Sequence, residues 1–103
     1  MIINEINNLR SQIIDKFNPL DIYLFGSHAK GISKKNSDVD ICVIINTDNK
    51  RQLLQRMLYE LDYKFDLDIV IYTEDEWHKY CNDTSTFASI INRTGVSLIG
   101  GYN

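Results

Sequence analysis

Asp38-Val39-Asp40 opens an apolar run that continues from Ile41 to Ile45. Side chains alternate across a strand, so Asp38 and Asp40 project from one face. Two carboxylates held that close repel each other unless a cation sits between them. The pattern asks for a metal. Upstream, with ten residues between, lies Gly26-Ser27, directly after a second apolar run from Ile22 to Phe25. Glycine reaches backbone angles closed to other residues, so the chain can turn sharply there. Ser27 would then cap a short helix through Ala29, offering its hydroxyl and nearby amides to an anion. Lys30, Lys34 and Lys35 make a local basic patch beside that turn, which reads as a landing site for a triphosphate.

The elements that must carry these groups are legible in order. Ile2, Ile6, Leu9, Ile13 and Phe17 recur at helical spacing, with Ile3 and Ile14 widening the stripe. Asn18-Pro19 stops that helix, since proline restricts its predecessor and cannot continue the hydrogen-bond ladder. The first strand follows, with Asp21 expected as an exposed edge or turn carboxylate. After the second strand, Thr47-Asp48-Asn49 starts a helix whose stripe is Leu53, Leu54, Met57, Leu58 and Leu61. Phe65 to Tyr72 reads as a third strand, with Phe65, Leu67, Ile69 and Ile71 on one face. Asp66, Asp68, Val70 and Tyr72 share the other, and a carboxylate pair in a strand that otherwise reads as buried needs a reason. Thr73 and Glu76 have capping-box spacing and open a short helix carrying Trp77 and Tyr80, both expected in the core. Residues 82–85 break it and cap another helix, packed by Phe87, Ile90 and Ile91 and ended by Gly95. Val96 to Ile99 is a last short strand.

Composition bounds the rest. One hundred and three residues are expected to form one domain, 1–103, with one core and no second domain to enclose a large substrate. The chain is 44 % hydrophobic and 24 % charged, ordinary for a globular protein. A net charge of −3 argues against a nucleic-acid groove, which needs a basic stripe. No apolar stretch approaches a membrane span and no signal-peptide pattern opens the sequence, so a cytoplasmic location is expected. Cys42 and Cys81 lack metal-ligand spacing and are expected as reduced thiols, and His28 and His78 have no zinc-like partners.

Gly26-Ser27, ten residues, then Asp-x-Asp resembles the nucleotidyltransferase superfamily related to DNA polymerase beta. The fuller pattern, Gly26-Ser27-His28-Ala29-Lys30-Gly31 followed by Ser37-Asp38-Val39-Asp40, is similar to its minimal members, which are often antitoxins paired with a HEPN-domain toxin. The closing helix followed by Gly95-Val96-Ser97-Leu98 is similar as well. The resemblance implies an α/β fold: a small mixed β-sheet with helices mainly on one face. It implies a third acid on the strand beside Asp-x-Asp, followed by aliphatics, which matches Asp68-Ile69-Val70 better than Asp66. His28 and Lys30 stand where the family often has arginine, and neither reproduces the planar guanidinium fork.

The reaction implied is transfer of AMP from ATP to a hydroxyl with release of pyrophosphate. Asp38, Asp40 and Asp68 would be the catalytic and metal-binding acids for two Mg²⁺ ions, and Gly26, Ser27 and Lys30 the nucleotide-binding residues. The acceptor implied is a tyrosine of a HEPN ribonuclease partner, silenced by the added AMP. Transfer to a small molecule is a second reading, weakened by the missing second domain. A non-catalytic antitoxin that acts by contact alone is a third.

Overall fold

The computed structural model describes residues 2–26, 29 and 38–100. Among the described residues four strands form one sheet: β1 (Asp21–Phe25), β2 (Val39–Ile44), β3 (Leu67–Tyr72) and β4 (Val96–Ser97), in the order β3-β2-β1-β4. β1 runs antiparallel to both β2 and β4, while β2 and β3 are parallel, so the sheet is mixed. Parallel neighbours need a crossover. Here it is α2 (Lys50–Glu60).

Alternation of side chains divides the sheet into two apolar faces. Ile22, Leu24, Val39, Ile41, Val43 and Ile71 meet α1 (Ile2–Phe17) through Ile6, Leu9 and Ile13, and α2 through Leu53 and Met57. Tyr23, Cys42 and Ile44 face the other way. They are covered by α3 (Glu74–Tyr80) through Trp77 and by α4 (Phe87–Thr94) through Ala88 and Ile91. The fold is the small α/β sheet expected, with the two long helices on one face and two short ones on part of the other. Among the described residues no helix is long and apolar enough to cross a membrane.

Local chemistry sets the helix ends. Asn18 takes a positive φ of 51°, the left-handed conformation that asparagine tolerates after a helix, and Pro19 follows. Asn49 caps α2 by accepting from the Gln52 amide. Thr73 and Glu76 form the full capping box at the start of α3, and Lys50 donates to Glu76 at 2.8 Å, tying the start of α2 to α3. α4 starts one residue later than the 82–85 break suggests, with Thr86 as its cap. That phase turns Ala88 and Ile91 inward and leaves Phe87 and Ile90 49 % and 45 % exposed, against the expectation that both would pack. Leu58, placed in the stripe of α2, is also exposed, while Trp77 is buried as expected. Cys42 and Cys81 are buried free thiols, and burial pushes the Cys42 thiol far above its ordinary range.

Asp21 overturns its reading as an exposed carboxylate. It is fully buried at the start of β1. Its Oδ1 accepts from the Ile22 amide and from the Ser97 hydroxyl, both at 2.8 Å. The Gly100 amide in turn donates to Ser97 Oγ at 3.0 Å, so one carboxylate pins the closing segment to the sheet. Arg10 Nε adds a second tie from α1, donating to the Leu98 carbonyl. Burial raises the Asp21 pKa above 3.8, outweighing the hydrogen bonds from Ser97, Ile22 and Ile99 that lower it. A raised folded-state pKa gives stability that is complete below the unfolded value and is lost as pH rises through the folded one. The melting temperature of the native chain minus that of Asp21→Asn is therefore expected to grow as pH falls from 7 towards 4. Parallel melting curves across that range would show that Asp21 has no such linkage.

Candidate functional site

The strand register decides which acids meet. Phe25 pairs with Asp40 across β1 and β2, and Asp40 pairs with Asp68 across β2 and β3. Directly opposed residues project from the same face, so Phe25, Asp40 and Asp68 form one row across three strands. Neighbouring strands lie about 4.8 Å apart, which brings two opposed carboxylates within reach of one cation. The next two rows on this face are Tyr23-Cys42-Val70 and Asp21-Ile44-Tyr72. Trp77 lies against Tyr23 and Tyr72, with ring centroids 5.1 and 5.7 Å away. Those rows lie under α3 and α4, whereas in the acid row Asp68 is exposed and Asp40 only half-buried.

Gly26 completes the row's β1 end. Its φ is +76°, and a Cβ added there would overlap Asp40 Oδ2. The sharp turn expected after the first strand thus brings bare backbone against the carboxylate, a fit only glycine permits. Asp38 is exposed one residue before β2. The Val39 amide donates to the Asp66 carbonyl at 2.8 Å, which fixes where the parallel pairing begins and leaves Asp66 exposed just outside β3. Ser27, Lys30, His28 and the helix expected to follow Ser27 lie outside the described residues.

The physical premise for the third acid changes. A carboxylate pair in a strand that reads as buried needs a reason, but among the described residues β3 is an edge strand and both acids are exposed, Asp66 as its place at the strand's entrance leads one to expect. The stronger argument for Asp68 is its alignment with Asp40. Among the described residues no three His, Cys, Asp or Glu side chains converge as a ready-made metal cage. Mg²⁺ does not require one: it commonly takes one or two carboxylates and fills its remaining positions with substrate phosphate and water. An all-oxygen pair on adjacent strands, open to solvent and closed on one side by the Gly26 backbone, fits that ion.

The small mixed α/β sheet with flanking helices is consistent with a polymerase-beta-like nucleotidyltransferase fold. The family model for the nucleotidyltransferase domain matches residues 6–94, and the chain belongs to that polymerase-beta-like family. No curated protein is similar enough to the chain to count as a relative.

Gly26→Ala is the direct test of the row's packing. A left-handed conformation costs a residue with a Cβ about 1–2 kcal/mol, before any clash with Asp40. The variant is expected to stay folded with a melting temperature lowered accordingly, because Asp40 must move. A native melting temperature in Gly26→Ala would show that the contact carries no stability.

Proposed function

We propose that this chain transfers AMP from ATP to a hydroxyl group, and that the hydroxyl is a tyrosine of a HEPN ribonuclease partner. The observation that carries the proposal is the pairing of Asp40 with Asp68 beside Gly26, in a chain of the nucleotidyltransferase family. The attacked phosphorus is crowded by negative oxygens, so positioning and charge neutralisation carry most of the catalysis. Mg²⁺ at the Asp40–Asp68 pair, with Asp38 as a further ligand once the substrate is bound, would neutralise charge on the triphosphate and lower the pKa of the acceptor hydroxyl.

The chain's own groups divide the remaining work along the sheet. Asp38 and Asp40, at the entrance of β2, hold the metal-bound triphosphate. Gly26, at the β1 end of the row, receives the β- and γ-phosphates, and Ser27 and Lys30, outside the described residues, are the further phosphate-binding residues proposed. Asp68, on the edge strand, faces the acceptor and takes the proton from its hydroxyl oxygen. That oxygen bonds to the α-phosphorus as the bond to the β-phosphate's bridging oxygen breaks, and pyrophosphate leaves. Edge position and exposure of Asp68 support a macromolecular acceptor, because nothing on the β3 side of the described sheet encloses a small one. The proposed setting is a single cytoplasmic domain drawing on cellular ATP.

The test is intact mass spectrometry of the proteins that co-purify with this chain, before and after ATP and Mg²⁺. A gain of one or more AMP units on a partner is expected. Asp38→Asn and Asp40→Asn should abolish the gain and weaken Mg²⁺-dependent ATP binding. Asp68→Asn should slow transfer by about 100-fold or more, the usual scale for losing a general base, while sparing more of the ATP binding. Asp66→Asn should keep most of the activity. Loss with Asp66→Asn and none with Asp68→Asn would move the third acid one pair along. A partner that stays inhibited with all four variants, and gains no mass, would make the chain an inhibitor by contact alone.

A further inference from the structure

We infer that Phe87 is the surface on which the base of the donor nucleotide stacks. The inference rests on the reading of the acid row as a nucleotide site and adds to it the position of the base. The sheet order gives that site a direction. Asp68 on β3 and Gly26 at the end of β1 lie on opposite sides of Asp40; on the reading proposed above, the β3 side is the acceptor's and the β1 side the donor's.

Phe25 is Asp40's cross-strand neighbour on the donor side. Its ring meets that of Phe87 with centroids 5.6 Å apart and planes at 81°. An edge-to-face contact occupies at most one face of the Phe87 ring. Phe87 is 49 % exposed, so it presents apolar ring surface to solvent one side chain beyond the acid row. The ring is also held in place: Phe87 is the first residue of α4, directly after the Thr86 cap, and Ala88 and Ile91 anchor that helix in the core. Ile90, one turn on and 45 % exposed, extends the apolar surface. Tyr59, at 90 % the most exposed large hydrophobic side chain described, lies on α2 across the sheet and cannot serve this site.

With the α-phosphate at Asp40 and the β- and γ-phosphates at the Gly26 turn, the ribose leads away from the phosphorus. The β3 side must stay open to the incoming hydroxyl. Phe25 and, beyond it, the exposed Phe87 ring are the aromatic surface that the β1 side of the acid row offers to the base. Stacking on a ring face tolerates any base, so the contact supplies affinity and orientation rather than choice among bases.

Titration calorimetry on the full chain separates this inference from the reading beneath it, using ATP–Mg²⁺ and tripolyphosphate–Mg²⁺ as two probes. Phe87→Ala is expected to weaken ATP about 5- to 150-fold, the range for losing one base–aromatic stack, and to leave tripolyphosphate unchanged. Phe87→Trp is expected to restore ATP affinity. If the native chain binds both probes and Phe87→Ala binds ATP as tightly, the stacking role is overturned while the nucleotide site stands. Equal weakening of both probes would also overturn it, making Phe87 a support for Asp40 through Phe25. Unchanged ATP affinity with loss of a co-purifying protein would assign the Phe87–Ile90 surface to a protein contact instead. If the native chain binds neither probe, the nucleotide site itself falls, and this inference with it.

Discussion

The parallel register of β2 and β3 is the constraint on which the site depends. Because the period of a strand is two, a slip of one residue would send Asp68 to the α1–α2 face and bring Leu67 or Ile69 beside Asp40. That slip is resisted by the core. Val39, Ile41, Val43 and Ile71 are all buried against α1 and α2, and reversing one strand would expose its apolar set. The carboxylates are thus placed by residues buried in the core beneath them. α2 matters for the same reason: as the crossover it brings β3 back parallel, so that both acid-bearing strands enter the sheet at the same end.

The opposite face shows how fold and site divide one surface. Two of its three rows are filled by Trp77, Cys81, Ala88 and Ile91, and the third is left to Phe25, Asp40 and Asp68. α3 and α4 are short, and their extent leaves room at that end. Carboxylates in a covered row would carry a desolvation cost, and Asp21 displays it: at the far end of the same face, burial raises its pKa despite three hydrogen bonds. One face therefore holds an acid used as a structural tie and acids open to solvent, separated by the Tyr23-Cys42-Val70 row.

Much of this could be read from the residues. The proline stop, the capping box of Thr73 and Glu76 and the apolar run of β2 are local patterns found where their residues predict, and the helices form where their periods do, although Ile3 and Leu58 of their stripes lie exposed. The choice of Asp68 over Asp66 came from the resemblance to a family, and its alignment with Asp40 is a fact of pairing that no single strand reveals. Asp21 was misread because its partner, Ser97, is 76 residues away. Phe87 was misread because the phase of a short helix turns on which of several capping residues starts it, and Thr86, not the preceding polar run, does so. The edge position of β3 depends on strand order, which periodicity does not carry. Local chemistry was legible; long-range pairing was not.

The central claim is that the acid row receives a triphosphate only through a divalent cation, since bare carboxylates and phosphates repel. Titration calorimetry of the native chain with ATP, once with Mg²⁺ and once in EDTA, tests it most directly. Saturable binding with Mg²⁺ and none in EDTA is the result the proposed function predicts. Equal affinity in the two conditions would contradict it.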